Sequence, residues 1–341
     1  MAAAAEDPVG DVVWMIRGHW VTLALRAAVD LGVLDHLAAR TSVAALASET
    51  SCDPADLRRL LRTLADLGMV ELTADHVVAT PRGATLARGH PSGLRDLLLM
   101  QTSPPNIASW QRLADAVRAG GSVYEAVNGI GPWQYLAAHP EQGAIFDAAM
   151  ARRGSEQAAV LVAGCDFSGV GTVVDVGGGR GAMLAEVLAA VPGLRGVVAD
   201  RPEVAHAAGA FLARSGLADV AVGTAADFFE SVPTGGDVYT VANVLHDWAD
   251  RDAVRVLQTI GSAMTPAARL WVVERVLDAP GRLPEAQRDL HLLDLHMLVM
   301  FGARERTAAE YRALLTSAGF TEGRLIVAGG AWDVIEARLA P

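Results

Sequence analysis

The sequence predicts an α/β protein: a Rossmann-like, seven-stranded and mostly parallel sheet with its last strand antiparallel, preceded by a mainly helical N-terminal region in a winged-helix arrangement. Three observations carry this expectation. After Gly171 strand-like and helix-like segments alternate; Thr172 to Leu184 read TVVDVGGGRGAML, a β-branched run followed by a glycine-rich turn and an apolar helix start; and apolar residues before residue 95 recur at helical spacing around one small hairpin.

In chain order, Val13, Ile16, Trp20, Leu23, Ala27, Leu31 and Leu34 predict a long helix that Gly32 does not interrupt. Val43 to Ala47 predicts a short helix. Asp53-Pro54 is a start signal, a capping carboxylate followed by proline at the first helical position, and Leu57, Leu60, Leu61, Leu64 and Leu67 line one face until Gly68. Met69 to Leu72 and His76 to Thr80 predict two strands around Ala74-Asp75. Helix, helix and hairpin in this order is the winged-helix arrangement, assigned to residues 1–95. Such a module often meets DNA, but here Arg58, Arg59 and Arg62 are offset by Asp53, Asp56 and Asp66, and the chain carries a formal charge of −11. Phosphate backbones demand the opposite sign, so no nucleic acid is expected as partner and the module is expected to associate with a second copy of itself.

Residues 96–165 are expected to be connecting helices. They carry Met100, Trp110, Tyr124, Trp133, Tyr135, Phe146 and Met150. Each alone reads as ordinary core, and together they could wall an aromatic pocket. Residues 166–341 predict strands near 172–176, 195–199, 219–223, 237–243, 269–274, 323–328 and 332–337, the last two joined by a short turn at Gly329-Gly330 and hence antiparallel. Ligands of such sheets bind at the carboxyl ends of the strands.

Composition sets the broad class. With 341 residues, 52% hydrophobic and 20% charged, the chain suits a globular protein with a large core; no stretch reads as a membrane span or a secretion signal, so a cytoplasmic protein is expected. Cys52 and Cys165 are too few and too distant for a disulfide framework or a zinc spacing.

The glycine turn narrows the ligand. Gly177 and Gly179 allow a sharp turn and a close approach to bare backbone, and the helix starting near Ala182 offers unpaired amides. Gly177, Gly179 and Ala182 also fit a loose dinucleotide pattern. Asp175 weighs against it: a carboxylate repels a diphosphate but suits S-adenosylmethionine, which carries an ammonium and a sulfonium and no phosphate. Asp200, about 20 residues on, is placed to bind ribose hydroxyls. A second strand, DVYTVANV, delivers Leu245-His246-Asp247-Trp248 to the same edge, and Glu274 and Glu305 are two acids that could hold one imidazole nitrogen of His246 and leave the other for a substrate proton. Both glutamates could equally be surface ion pairs with Arg275, Arg304 or Arg306.

With these segments in view, the chain resembles the S-adenosylmethionine-dependent O-methyltransferases of the caffeic acid, acetylserotonin and bacterial aromatic-polyketide type. The resemblance spans nearly the whole sequence: FDAAM (Phe146 to Met150), DVGGGRG (Asp175 to Gly181), DRPEV (Asp200 to Val204), ADFF (Ala226 to Phe229), LHDW (Leu245 to Trp248), the glutamate of VVERV (Glu274) and DLHMLVMFGARERT (Asp294 to Thr307). It implies a homodimer through the N-terminal domain, cofactor contacts at Asp175, Gly177, Gly179, Asp200, Asp227, Phe228 and Trp248, and a substrate wall that includes Trp110, Phe146, Met150, His296 and Met297. It also implies His246 as general base flanked by Glu274 and Glu305, acting on a phenolic hydroxyl of a small aromatic secondary metabolite. The alternative is a relative that binds the cofactor but catalyses hydroxylation, decarboxylation or cyclisation. Two departures stand out. Ala242-Asn243-Val244 replaces a lysine, serine or arginine near the cofactor's carboxylate, leaving that contact unassigned, and His296 stands where relatives often have asparagine. His291 and His296, five residues apart, fall on different helical faces, so no metal is expected.

Overall fold

The computed structural model describes residues 7–327 and 330–341, which form two compact units meeting at Pro104/Pro105. The predicted Gly329-Gly330 turn lies partly outside the described residues.

The first unit contains helices α1 (Pro8–Ile16), α2 (Gly18–Asp30), α3 (Val43–Glu49), α4 (Pro54–Asp66), α5 (Pro81–Ala84) and α6 (Leu94–Gln101), with strands β1 (Thr41–Ser42), β2 (Val70–Leu72) and β3 (His76–Ala79). Asp53 caps α4 as expected, its carboxylate accepting from the amides of Ala55 and Asp56, and Leu57, Leu61 and Leu64 are buried beneath it. Two expectations need correction. Gly32 does stop its helix: α2 ends at Asp30, Gly32 takes φ 69° and a 3₁₀ turn, Val33–His36, follows, because the left-handed backbone ends the α-helical ladder and turns Val33 and Leu34 into the core. The hairpin also gains a third strand, since Thr41↔Val77 and Ser42↔His76 pair antiparallel; two residues are too short to show an alternation in sequence. The predicted apolar face of α1 and α2 is present but uncovered within this chain: Val13, Ile16, Trp20 and Leu23 are exposed, as are Val9, Val12, Trp14 and Met15.

The second unit begins with α7 (Pro104–Trp110), α8 (Leu113–Ala119), α9 (Tyr124–Asn128), α10 (Pro132–Ala138), α11 (Pro140–Ala151) and α12 (Gly154–Gly164). Thereafter β4 (Thr172–Val176), α13 (Ala182–Ala190), β5 (Arg195–Asp200), α14 (Pro202–Arg214), β6 (Ala221–Ala225), β7 (Val238–Ala242), α15 (Asp250–Ala263), β8 (Arg269–Glu274), α16 (Pro284–Phe301), α17 (Ala308–Ser317), β9 (Arg324–Val327) and β10 (Asp333–Ala337) alternate. The seven strands run in the order β6-β5-β4-β7-β8-β10-β9, and β10 is antiparallel to both neighbours. The five central strands are buried on both faces, which is why β4, β7 and β8 read as nearly continuous apolar runs. One face packs on α15 and α17 through residues such as Val256, Ile260 and Leu315, the other on α12, α13 and α14 through Leu161, Leu184 and Leu212.

This order places the functional segments. The connection leaving β4 runs to β5 on one side and that leaving its neighbour β7 runs to β8 on the other, so the two diverge and open a crevice at their carboxyl ends. The carboxyl ends of β4, β5, β7 and β8 therefore bring the glycine turn, Asp200, the segment containing His246, and Glu274 to one edge. Stability of the first unit should rest on its small core: Leu61→Ala is expected to cost about 2–5 kcal/mol and Asp53→Ala about 1 kcal/mol, read from denaturant midpoints, and equal losses would refute this ranking.

Candidate active site

The glycine turn has the shape of a ligand cradle. Gly177, Gly179 and Gly181 all adopt positive φ (69°, 56° and 78°), and a Cβ on Gly177 would stand 2.7 Å from Val244 Cγ2, so only bare backbone leaves this room. Asp200 turns its carboxylate back onto the turn, accepting from the amides of Gly179 (2.9 Å) and Arg201 (2.7 Å). Beyond it, Asp227 accepts from the Phe229 amide, and Phe228 and Phe229 meet Trp248 edge-to-face at 5.9 and 4.7 Å between centroids. Bare amides, two carboxylates and an aromatic wall fit S-adenosylmethionine and oppose a diphosphate.

Asp175 stands differently from expectation. Register pairs it with Thr240 on β7, whose hydroxyl donates to Oδ1 at 2.7 Å, and a Cβ on Gly178 would meet Oδ2 at 2.3 Å. The carboxylate is thus sealed behind the turn, shaping it from below, and burial pushes its pKa up to about 7. Its strand position is the reason: residue 175 points into the sheet's packing, while the backbone after it turns toward the crevice.

His246 sits in a one-turn 3₁₀ segment after β7 and is 2% exposed. Its Nδ1 donates to Glu305 Oε1 at 2.8 Å, with Glu274 Oε2 at 3.8 Å. Glu274 spends its other oxygen on the loop, accepting from the amides of Val244 (3.1 Å) and Leu245 (2.8 Å), so one glutamate orients the ring and the other fixes the backbone that carries it. The surface ion-pair reading fails for both. Each is fully buried, and the arginines find other partners: Arg304 and Arg306 pair with Asp250, Arg275 with Asp289. Sequence reasoning missed Asp247, whose Oδ1 stands 3.3 Å from Nε2, because an acid next to a histidine in sequence says nothing about which nitrogen it reaches. The electrostatics follow. Burial disfavours the charged ring, but the carboxylates of Glu305, Asp247 and Glu274 outweigh it and push His246 up to about 9; burial pushes Glu274 up to about 7 and Asp247 to about 6.

Arg153 went unrecognised, as did its pairing with Asn243. Arg153 is buried before α12 and donates from Nη1 to Asn243 Oδ1 at 2.9 Å; Asn243 follows β7 with φ 56°. Nothing in an Arg-Arg pair after FDAAM marks which one turns inward. Burial, then the charges of Arg275 and Arg152, bring Arg153 down to about 10, so it remains a cation at neutral pH.

The aromatic residues divide. Trp133 meets Phe146 (5.6 Å), Phe301 (5.1 Å) and Trp248 (6.5 Å), joining the expected substrate wall to the expected cofactor wall. Trp110 hydrogen-bonds His296. Met150 is half-buried and Met297 buried, whereas Tyr124 is plain core beside Val299 and Met300. His291, Asp294 and His296 do not converge: they bond separately to Gln287, the Glu305 amide and Trp110. Among the described residues one group has donor atoms close enough for a shared cation, His246, Glu274 and Glu305, within 4.8 Å of one another.

Comparison with known proteins agrees with this geometry. The O-methyltransferase domain family matches residues 110–321, and the O-methyltransferase dimerisation domain matches residues 14–88. The chain is 38% identical to a mitomycin biosynthesis 6-O-methyltransferase of Streptomyces lavendulae over 99% of this chain and 96% of that protein, and 36% identical to a phenazine O-methyltransferase of Lysobacter antibioticus over 95% and 94%. An aclacinomycin 10-hydroxylase of Streptomyces purpurascens is 35% identical over 91% and 84%. Among solved structures, an O-methyltransferase from neocarzinostatin biosynthesis, in complex with S-adenosylmethionine and 2-hydroxy-5-methyl naphthoic acid, superposes with TM-score 0.79 at 30% identity, covering 93% of this chain and 95% of that one.

The buried cluster makes a pH prediction. His246, Glu274 and Asp247 each hold their proton more tightly folded than unfolded, so their stabilisation is complete at low pH and is lost as pH rises through the folded values, from about 6 to about 9. Proton NMR of the His246 ring should show titration near 9, moving to lower pH in Glu305→Gln; an unchanged midpoint would show that Glu305 does not set it.

Proposed function

Because the chain belongs to the S-adenosylmethionine-dependent O-methyltransferase family with its dimerisation domain, we propose that it methylates a phenolic hydroxyl of a small aromatic secondary metabolite, with His246 as general base. The observation that carries this reading is the 2.8 Å bond from His246 Nδ1 to Glu305, which leaves Nε2 as the nitrogen for a substrate proton.

S-adenosylmethionine supplies, when bound, a methyl group on a sulfonium that departs as a neutral thioether, so the reaction needs no Lewis acid. The remaining work falls to this chain. The amides of the Gly177–Gly181 turn and the carboxylates of Asp200 and Asp227 would hold the adenosine portion, with Phe228 and Trp248 against it. Arg153, steadied by Asn243, would offer a cation to the cofactor's carboxylate. Trp110, Phe146, Met150, His296 and Met297 would hold the acceptor ring and exclude water, and holding the reacting atoms in line supplies much of the acceleration.

At about 9 the His246 ring is mostly protonated at neutral pH, so turnover should rise with pH as Nε2 gives up that proton and becomes a base. A phenol near 10 and an ordinary histidine near 6.5 differ by about 3.5 units, or about 5 kcal/mol of uphill proton transfer. At about 9, His246 narrows that gap to roughly 1.4 kcal/mol. The carboxylates that hold the proton in the free protein thus bring imidazole and phenol near balance. Asp247, beside Nε2, is the group that an incoming hydroxyl would displace.

The homodimer is our reading of the uncovered apolar face on α1 and α2, in keeping with the dimerisation match over residues 14–88. Trp20→Asp with Ile16→Asp is expected to shift the sedimentation coefficient from dimer to monomer; an unchanged value would place the interface elsewhere. For the chemistry, His246→Ala is expected to lower kcat about 10²–10⁴-fold while the calorimetric Kd for S-adenosylhomocysteine stays within about twofold. With labelled cofactor and a panel of phenols, S-adenosylhomocysteine should be released one for one with methylated product. Substrate conversion without that release would instead favour the chemistry of the hydroxylase relative.

A further inference from the structure

The buried arginines of this protein have hydrogen-bond acceptors, with one exception. Among the described residues three are buried: Arg306 donates to the carbonyls of Leu245 and Trp248 and to Asp250, Arg153 donates to Asn243, and Arg275 donates to nothing. A guanidinium carries five N–H donors and stays charged, so burying it with all of them unbonded is costly. Among the described residues the carboxylate in ion-pair range is Asp289 Oδ2, 3.7 Å from Nη1, too long for a hydrogen bond, on a side chain that is 77% exposed. Stacking holds the group instead. Its Cζ lies 4.7 Å from the centre of the Trp332 ring, whose indole N–H donates to Glu156. Nε of Arg275 is sealed without a partner, whereas its terminal nitrogens Nη1 and Nη2 are not sealed. A fork with a fixed stem, open ends and no acceptor is arranged for an anion that enters.

Two neighbours locate that opening. Arg275 follows Glu274 at the end of β8, and successive strand residues point to opposite faces: Glu274 turns to His246, while Arg275 joins Trp332 on the face packed against α12. Across the opening, Asp289 and His296 are seven residues apart on α16, about two turns, so Arg275 meets the helix face that carries His296 further along. Arg153 reaches the same indole from the cofactor side, its Cζ 5.9 Å from the centre of Trp332 while its Nη1 holds Asn243. Arg275 thus stands between Arg153 and the helix of the substrate wall, and on the other side of the β8 end from His246.

We propose that Arg275 anchors a carboxylate on the acceptor, so that the preferred substrates are hydroxylated aromatic acids whose acid group lies at the far end of the ring system from the hydroxyl that is methylated. This rests on the methyltransferase reading above and adds the charge that the site selects. The opposite facing of Glu274 and Arg275 sets the separation, because a hydroxyl at His246 and an acid at Arg275 cannot occupy neighbouring carbons. The entering carboxylate accepts from both ends of the fork and displaces the long contact with Asp289. The cofactor carries a carboxylate too, and the test separates the two sources.

The full-length protein is titrated by calorimetry, in the presence of S-adenosylhomocysteine, with two probes that differ by one carboxylate, 6-hydroxy-2-naphthoate and 2-naphthol. The wild type is expected to bind the naphthoate at least about tenfold more tightly, the size of one charge-assisted hydrogen bond. Arg275→Gln should bring this preference below about twofold while the 2-naphthol Kd, the S-adenosylhomocysteine Kd and the melting temperature stay near wild type. Arg275→Lys, which keeps the charge without the fork, should retain part of it. Asp289→Asn removes a competing carboxylate from an exposed side chain and should raise the preference about two- to fivefold. A wild type without the preference, a glutamine variant that keeps it, or an equal gain from 3-hydroxy-2-naphthoate would overturn the proposal. Weaker S-adenosylhomocysteine binding in Arg275→Gln with the preference intact would assign the anion to the cofactor, which also overturns it. If the glutamine variant melts early, Asp289→Asn decides, and an unchanged preference there counts against the anchor. Because the preference is read by binding alone, failure of methyl transfer with the preference intact would tell against the enzymatic reading and not against this one.

Discussion

The structure of the site depends on one buried contact, the bond between His246 and Glu305. A lone carboxylate and a lone imidazole at this depth would each be strongly disfavoured as ions, and together they form a charge pair whose members come from distant segments, the end of β7 and the stretch after α16. Glu274 then makes the arrangement specific. Its bonds to the amides of Val244 and Leu245 hold the backbone leading into the 3₁₀ turn, while Glu305 holds the ring. Two carboxylate oxygens, Glu274 Oε2 and Glu305 Oε2, remain without partners, a cost that the cluster bears in exchange for a strongly negative field around the ring.

That field would be useless if the sheet did not bring it to the cofactor turn. The β4–β7 register sets Asp175 opposite Thr240, and the same register brings Val244 against Gly177. A slip of one residue would turn Asp175 to the other face and separate the turn from the histidine loop. The parallel centre of the sheet thus couples two sites that look independent along the chain: a cradle whose shape is fixed by a buried acid, and a histidine whose position is fixed by two more. This edge of the sheet is correspondingly rich in buried ionisable groups, and their pKa values move apart according to what each faces.

Much of this was legible in the sequence. The seven strands, their alternation with helices, the antiparallel final pair, the α4 cap and the identity of the glycine turn all follow from patterns local to a few residues, where periodicity and turn chemistry act directly. Gly32 misled because hydrophobic spacing continues past it, while the backbone obeys the glycine. Side-chain roles within the site were less legible. Sequence could set Glu274 and Glu305 near His246, but could not decide which one touched the ring, since a separation of 31 residues leaves both possible. Asp175 appeared to face the ligand because it adjoins the turn, yet β4 is buried on both faces and its carboxylate is taken up by the Thr240 hydroxyl. Arg153 and Asp247 carried no signal of their roles, because burial of a charged group is a property of the assembled core and not of its neighbours in the chain.

The same reasoning explains why the two histidines of the site cannot exchange tasks. His246 is enclosed by acids, so its charged form is stabilised and its proton affinity rises; burial, with the charges of Arg153 and His246 next, suppresses the charged form of His296. Neither outcome depends on histidine as such. It depends on whether the second nitrogen of each ring meets an acceptor or a donor: Glu305 makes the first ring a proton carrier, and Trp110 makes the second a fixed hydrogen-bond donor.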